Sequence, residues 1–325
     1  MDRVRRTVGC DRLDTSQYNG RGVYVVVLDS GVANHPDLDG RIVEFRDFIH
    51  EGKYRKDSYY DDNGHGTHVC GILAGNGKLS DTKYRGIAPQ CSILCGKVLD
   101  EKGAGSLRNL LMGLEWTTEM MKIYPVRILN ISIEMEQTAA LKPDEVALLH
   151  KYLEYFWSSN VMIVAAAGNK GPEPMSISPI SESVECICVG CNDGDYVGAG
   201  GRTCAAYSAR GPANVYDVNP AKGNPLKKPD IVAPGTDIVS CCNRVYGRNN
   251  RWRQPYIAKS GTSMATPIVS GALALCLQKY PQITNTQLKR VLLSSSRDLG
   301  QNWNVQGAGM LQIDKMLENI NKKYI

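Results

Sequence analysis

Val23-Tyr24-Val25-Val26-Val27-Leu28-Asp29-Ser30-Gly31 is the stretch from which the fold class is read. Its first six residues are β-branched, aromatic or leucine with no polar alternation, the pattern of a strand buried on both faces. The strand runs straight into a carboxylate and then a glycine turn. Such strands belong to parallel sheets covered by helices, where functional groups gather at the carboxyl ends of the strands. Asp29 stands at such an end, and a carboxylate half removed from water needs a partner to remain charged. A helix cap or a turn residue explains a lone aspartate there equally well.

Further apolar runs at 93–98, 126–133, 161–166 and 186–189 read as strands of the same kind. Helical periodicity separates them at about 65–75, 106–121 and 144–158, and returns at about 262–279, 284–294 and 313–321. Thr284 and Gln287 have capping-box spacing ahead of the second of the last three. Strands alternating with helices predict an α/β fold with a mostly parallel central sheet flanked by helices. No internal repeat or low-complexity linker divides the chain.

Composition narrows the function classes. The 325 residues suffice for one large α/β domain or two smaller ones. Thirty-eight basic against 33 acidic residues leave a net charge of +5, too mild and too dispersed for a nucleic-acid binder. No apolar run approaches the roughly 18 residues of a membrane helix, so neither nucleic acid nor a membrane is an expected partner. Met1-Asp2-Arg3-Val4-Arg5-Arg6 is basic but leads into no apolar core of a secretory signal. Eleven cysteines, an odd number without a zinc-type Cys-x-x-Cys pair, suit a reducing compartment, so a cytoplasmic location is expected.

Two other segments hold reactive residue types. Asp62-Asn63-Gly64-His65-Gly66-Thr67-His68-Val69-Cys70-Gly71 places His65 in the first turn of a helix, among glycines that let backbones approach closely. His65 and His68 lie on adjoining faces, so a metal-dependent hydrolase is conceivable, but neither His-Glu-x-x-His nor a third ligand at matching spacing is present. Ser260-Gly261-Thr262-Ser263-Met264-Ala265-Thr266-Pro267 sets Ser263 at the start of an apolar helix, where the positive end of the dipole favours developing negative charge. A serine N-cap is the plain alternative. The segment lacks the Gly-x-Ser-x-Gly elbow of α/β-hydrolases, and Gly75-Asn76-Gly77-Lys78 does not complete a phosphate-binding loop because Ile72 replaces its first glycine.

The chain order Asp29, His65, Ser263 decides among these readings. With it, the sequence resembles the subtilisin-like serine protease family over nearly its whole length, and the expected lack of a secretory signal and a folding prodomain resembles that family's intracellular bacterial branch. The matching blocks surround Asp29, His65 and Ser263, joined by Lys97-Val98-Leu99, Asn130-Ile131-Ser132, Ala165-Ala166-Ala167-Gly168-Asn169 and Lys228-Pro229-Asp230-Ile231-Val232-Ala233-Pro234-Gly235. The resemblance implies a three-layer subtilisin-like fold and a serine endopeptidase. Ser263 would be its nucleophile, His65 the base and then the acid, and Asp29 the orienter of the imidazole. Asn169 would be the side-chain donor to the oxyanion, with the Ser263 amide as the second donor. His68 and His35 match structural family positions, while His50 and His150 match no motif and are expected at the surface. A non-catalytic binding or regulatory module on the same fold is the alternative, disfavoured because all four residues are present.

Substrate contacts follow from the same resemblance. Gly103-Ala104-Gly105 and Ser132-Ile133-Glu134 match the two edges that sandwich an extended peptide by strand addition, so the partner is a polypeptide. Glu134 stands where glycine is usual, beside the first pocket. Its carboxylate either favours a basic P1 residue or simply faces solvent. Ile177 is expected near the bottom of that pocket, shortening it in favour of smaller side chains, which leaves the P1 preference open. Arg244, Arg248, Arg251 and Arg253 either steer acidic substrates or form a solvated face. No cofactor is required for the chemistry. Structural calcium is possible but not assignable: Lys78, Lys83 and Arg85 interrupt the expected loop, and the groups Asp57/Asp61/Asp62 and Asn192/Asp193/Asp195 lack EF-hand spacing. The expected organisation is an N-terminal extension over 1–21 and a peptidase domain over 22–325, without a folding prodomain because 28 residues precede Asp29. The oligomeric state is left open.

Overall fold

A computed structural model describes residues 1–50, 58–135, 142–193, 203–212, 227–244 and 254–324. The opening hydrophobic run forms β1 (Tyr24–Asp29). With β2 (Ile42–Asp47), β3 (Ser92–Lys97), β4 (Val126–Ile131), β5 (Met162–Ala166), β6 (Cys186–Asn192) and β7 (Ile231–Pro234) it makes a sheet ordered β2-β3-β1-β4-β5-β6-β7. Every neighbouring pair is parallel. The order reverses at β1, so Asp29 lies at the topological switch point, where an open α/β sheet leaves a crevice for ligands.

Alternate residues of the central strands enter two separate cores. Val25, Val27, Ile128 and Val164 join one, with buried residues of α2 (His65–Ala74), α5 (Thr262–Lys279), α6 (Asn285–Ser294) and α8 (Ile313–Tyr324). Val26, Leu28, Leu129 and Ile163 join the other, with α3 (Leu107–Met120) and α4 (Pro143–Ser158). This gives the expected three layers. The short α1 (Asp2–Thr7) places Val4 against the first core, so the N-terminal residues are part of the packed body. α7 (Trp303–Gln306) is a single turn. An antiparallel hairpin, β8 (Ile238–Cys241) with β9 (Tyr256–Lys259), lies beyond the sheet.

α5 is buried on all sides from Thr262 to Leu277. Pro267 lacks the N–H that would bond the Ser263 carbonyl, a local loss tolerated in the second turn of a helix held by packing. The expected capping box of Thr284 with Gln287 opens α6, and a second, Ser106 with Asn109, opens α3.

β2 carries no strand signal in the sequence because it is an edge strand. Its sequence Ile-Val-Glu-Phe-Arg-Asp is charged and only partly buried, a common protection of exposed edges. β7, β8 and β9 have four residues each, too short for periodicity to register.

Candidate active site

The site is built where β1, β4 and β5 end and α2 and α5 begin. Asp29 is fully buried, and its Oδ1 accepts from the Ser30 N–H at 2.7 Å and lies 2.7 Å from His65 Nδ1. A carboxylate at that nitrogen fixes the neutral ring with its proton on Nδ1, leaving Nε2 as an acceptor. His65 is the first residue of α2, after Gly64 at φ +95°. Gly66 permits the approach of the helix to β1, since a Cβ there would stand 2.1 Å from the Gly31 carbonyl oxygen. Burial disfavours the imidazolium, but the charge and hydrogen bond of Asp29 outweigh it, so the His65 pKa is raised above its ordinary 6.5. Lys259, half-buried on β9, acts in the opposite sense on the same ring.

Two charged residues assigned no part in the site from the sequence, Asp61 and Lys97, hold this corner together. Asp61 Oδ1 accepts from Ser30 Oγ and from the N–H groups of Asn63 and Gly64. Its Oδ2 accepts from the N–H and hydroxyl of Thr67. Those five donors make Asp61 an organiser of the α2 start. Lys97 is fully buried and donates to the Ser30 carbonyl at 2.8 Å, to the Leu99 carbonyl at 2.7 Å and to Asp62 Oδ1 at 2.6 Å. A lysine closing an apolar strand was the available signal, because such a cation requires partners.

Asn169 follows β5. Its Oδ1 accepts from the Thr262 N–H at 2.9 Å and the Thr262 hydroxyl at 3.3 Å, which sets the direction of its Nδ2 hydrogens. Thr262 Oγ1 also accepts from the Gly168 N–H. Ser263, 9% exposed, is the second residue of α5, and the N-cap is Gly261, so the plain capping alternative for Ser263 is not observed. Its amide falls in the first turn, where N–H groups lack helical partners. α2 and α5 pack directly on each other, with their N-termini at the carboxyl edge of the sheet. Asp29 and His65 thus form one bonded pair, while Asn169 is joined to the residue beside Ser263.

Gly103, Ala104 and Gly105 form an exposed turn, in which the Ala104 N–H donates to Asp100 Oδ1 and its carbonyl accepts from the Asp100 N–H. The Gly103 N–H donates to the Asp100 carbonyl at 3.0 Å, so Gly103 and Ala104 both have main-chain groups engaged within the turn. Ser132 and Ile133 are buried directly after β4, with Ser132 Oγ accepting from Asn130 Nδ2. Glu134 is exposed and at the same time bonded to the loop: its Oε2 accepts from the Asn169 N–H at 3.1 Å and lies 3.5 Å from Asn169 Nδ2. Ile177 is buried with Ala167, Cys188 and Ala209 beside this segment.

The histidine expectations divide. His68 is fully buried with Nε2 donating toward the Ile238 and Ile257 carbonyls, and burial first, then Lys259, lowers its pKa to about 3. It is a neutral structural residue. His35 accepts from the Asp37 N–H and donates to the Pro255 carbonyl. His150 is exposed as expected, but His50 is half-buried beside Tyr60 and Asp47, a correction to its surface placement. Among the described residues, His35, Asp37 and Cys241 are the group close enough to share a metal, and His65 with His68 is not such a group. The local donors do not fit calcium: Asp37 already accepts from the Leu79 N–H and the Tyr256 hydroxyl, and the remaining atoms are nitrogen and sulfur. Arg244 is exposed, while Arg248, Arg251, Arg253, Asp57 and Asp195 lie outside the described residues.

Comparison with known proteins agrees with this geometry. The profile of the subtilase family matches residues 20–310. Serine protease AprX of Bacillus subtilis (strain 168) is 35% identical over 304 residues, covering 91% of this chain and 66% of that protein. An intracellular serine protease of Paenibacillus polymyxa is 31% identical over 312 residues, covering 93% of this chain and 82% of its own. The solved structure of Sphericase superposes with a TM-score of 0.76 at 25% identity, covering 95% of this chain and 97% of the other. A seven-stranded parallel sheet with a bonded Asp29–His65 pair at its switch point, Ser263 opening the central helix, and a family match from residue 20 to residue 310 together establish that the chain belongs to the subtilase family, the subtilisin-like serine proteases.

Proposed function

We propose that the protein is an endopeptidase that cleaves extended polypeptide segments through an acyl-enzyme. The observation that carries this reading is the 2.7 Å contact between buried Asp29 and His65, set at the same sheet edge as Ser263 and Asn169. His65 Nε2 removes the hydroxyl proton of Ser263 as Oγ attacks the scissile carbonyl. Asp29 holds the ring tautomer and stabilises the imidazolium that forms. The resulting oxyanion receives hydrogen bonds from Asn169 Nδ2 and the Ser263 amide, both near the positive end of α5. His65 then protonates the leaving amine, and water attacks the acyl-enzyme with His65 again taking the proton. Nucleophile, base and oxyanion donors are all protein groups, so the reading invokes no cofactor.

The cytosol is the proposed place of action. All eleven cysteines are free and buried, as a reducing compartment permits, and one relative is named an intracellular protease. No helix among the described residues is long and apolar enough to cross a membrane.

The test is intact-mass labelling with a fluorophosphonate, followed by peptide mapping. A single adduct on Ser263, lost in His65→Ala, is the expected result. No adduct on correctly folded protein would refute the endopeptidase assignment.

A further inference from the structure

We propose that Glu134 is a specificity-determining gate on the oxyanion donors: its carboxylate rests on Asn169 in the free enzyme and is drawn away by a cationic P1 side chain. The proposal deepens the endopeptidase reading and rests on it.

Glu134 lies three residues beyond the end of β4, on the edge facing the Gly168–Asn169 segment. Its Oε2 accepts from the Asn169 N–H at 3.1 Å and stands 3.5 Å from Asn169 Nδ2, the atom assigned to the oxyanion. Its Oε1 is 3.8 Å from Lys170 Nζ, and a Cβ on Gly168 would meet its Cδ at 3.7 Å. The carboxylate is therefore folded onto this loop, with its side chain only 29% exposed.

Asn169 has little freedom to avoid that contact. Thr262 holds its Oδ1 with two donors, so Nδ2 points in a set direction. The Glu134 carboxylate and the oxyanion both seek the hydrogens on that side of the loop. Both are anions, and two like charges a few ångströms apart repel. Donors that stabilise the transition state must be free of a competing anion when charge develops. Glu134 has to move off Asn169 for efficient turnover.

Two cations can receive it. Lys170 is 56% exposed and its contact is long, the weak kind of surface ion pair. A substrate Lys or Arg at P1 is the second. The family resemblance has the P1 side chain enter between Ser132–Glu134 and Ala167–Asn169, and Ile177, buried against Ala167, then limits its depth. A long side chain then keeps its charged tip near the mouth, within reach of Glu134, where a charge-assisted hydrogen bond forms. A neutral P1 residue supplies no such partner and leaves the carboxylate over the donors. Peptide segments with Lys or Arg at P1 are the substrate class this geometry selects, and cleavage at neutral P1 is held back by the same residue.

The experiment compares the wild type with Glu134→Gln and Lys170→Met on internally quenched peptides identical except at P1, which carries Lys or its neutral isostere norleucine. Rates are normalised to Ser263 titrated with fluorophosphonate. The wild type should favour Lys by about tenfold or more in kcat/KM, mostly through kcat, and Glu134→Gln should raise kcat on the norleucine peptide about tenfold and bring the ratio near one. Lys170→Met, which removes the competing cation, should widen the wild-type ratio. A wild-type ratio near one, a ratio unchanged in Glu134→Gln, or an equal loss on both peptides would overturn the assignment to Glu134. Absence of any adduct on Ser263 together with absence of any cleavage would overturn the endopeptidase reading itself.

Discussion

Asp29 carries two unlike oxygens. One receives the Ser30 N–H and the His65 ring, and the other is buried with no hydrogen-bond partner among the described residues. The consequence is a pH dependence of known sign. Burial pulls the His65 pKa down and Asp29 pulls it up further, so the neutral base is lost on acidification at a pH above 6.5. The acid limb of kcat/KM should therefore have its midpoint above that value. Lys259→Met removes a charge that lowers this pKa, and the midpoint should move higher still in a pH–rate profile. A midpoint below 6.5, or one indifferent to Lys259, would contradict the electrostatic account. Asn169→Ala should reduce kcat by about 10²–10³ with little change in KM, the loss already known for such a donor in a subtilisin. A rise in KM alone would mean that Asn169 acts in ground-state binding.

Among the elements, the junction of β1 and α2 depends on two groups with no role in bond breaking. Lys97 ties the ends of β1 and β3 to Asp62, two residues before Gly64. Lys97→Met would leave two buried carbonyls and a paired carboxylate without their donor. A loss of about 2–4 kcal/mol is expected in urea unfolding, tempered because Asp62 is 30% exposed. Activity should fall with it, since His65 hangs from the same loop. Gly66→Ala tests the same junction sterically. Its Cβ would meet a backbone oxygen at 2.1 Å, so either α2 moves away from Asp29 or the protein loses stability. A variant with wild-type stability and wild-type kcat/KM would contradict the tight contact. The sequence showed that glycines were needed here, but the oxygen they make room for comes from a different segment.

At the scale of the whole molecule, eleven thiols are distributed through the cores without a disulfide. Burial pushes several of them, including Cys91, Cys186 and Cys276, up to about 12 from an ordinary 9.0. The unfolded chain releases these protons at lower pH than the folded one, so their contribution to stability is complete below about pH 9 and declines as pH rises toward 12. Urea midpoints should accordingly fall between pH 8.5 and 10.5 on the order of the linkage slope. A thiol reagent should find almost nothing in the native protein and eleven groups in denaturant. Rapid native labelling of several thiols would contradict the packing. By itself the sequence determined the α/β class, the buried central strands, the long helices, and the positions of Asp29, His65, Asn169 and Ser263, because continuous apolar runs and helical periods are local signals and the motif blocks are contiguous. Only the tertiary structure decided the edge strand β2, the roles of Asp61 and Lys97, and the contact of Glu134 with Asn169. Each of these depends on partners distant along the chain, and a charged residue looks the same in sequence whether its neighbour in space is water, a carbonyl or a donor in the active site.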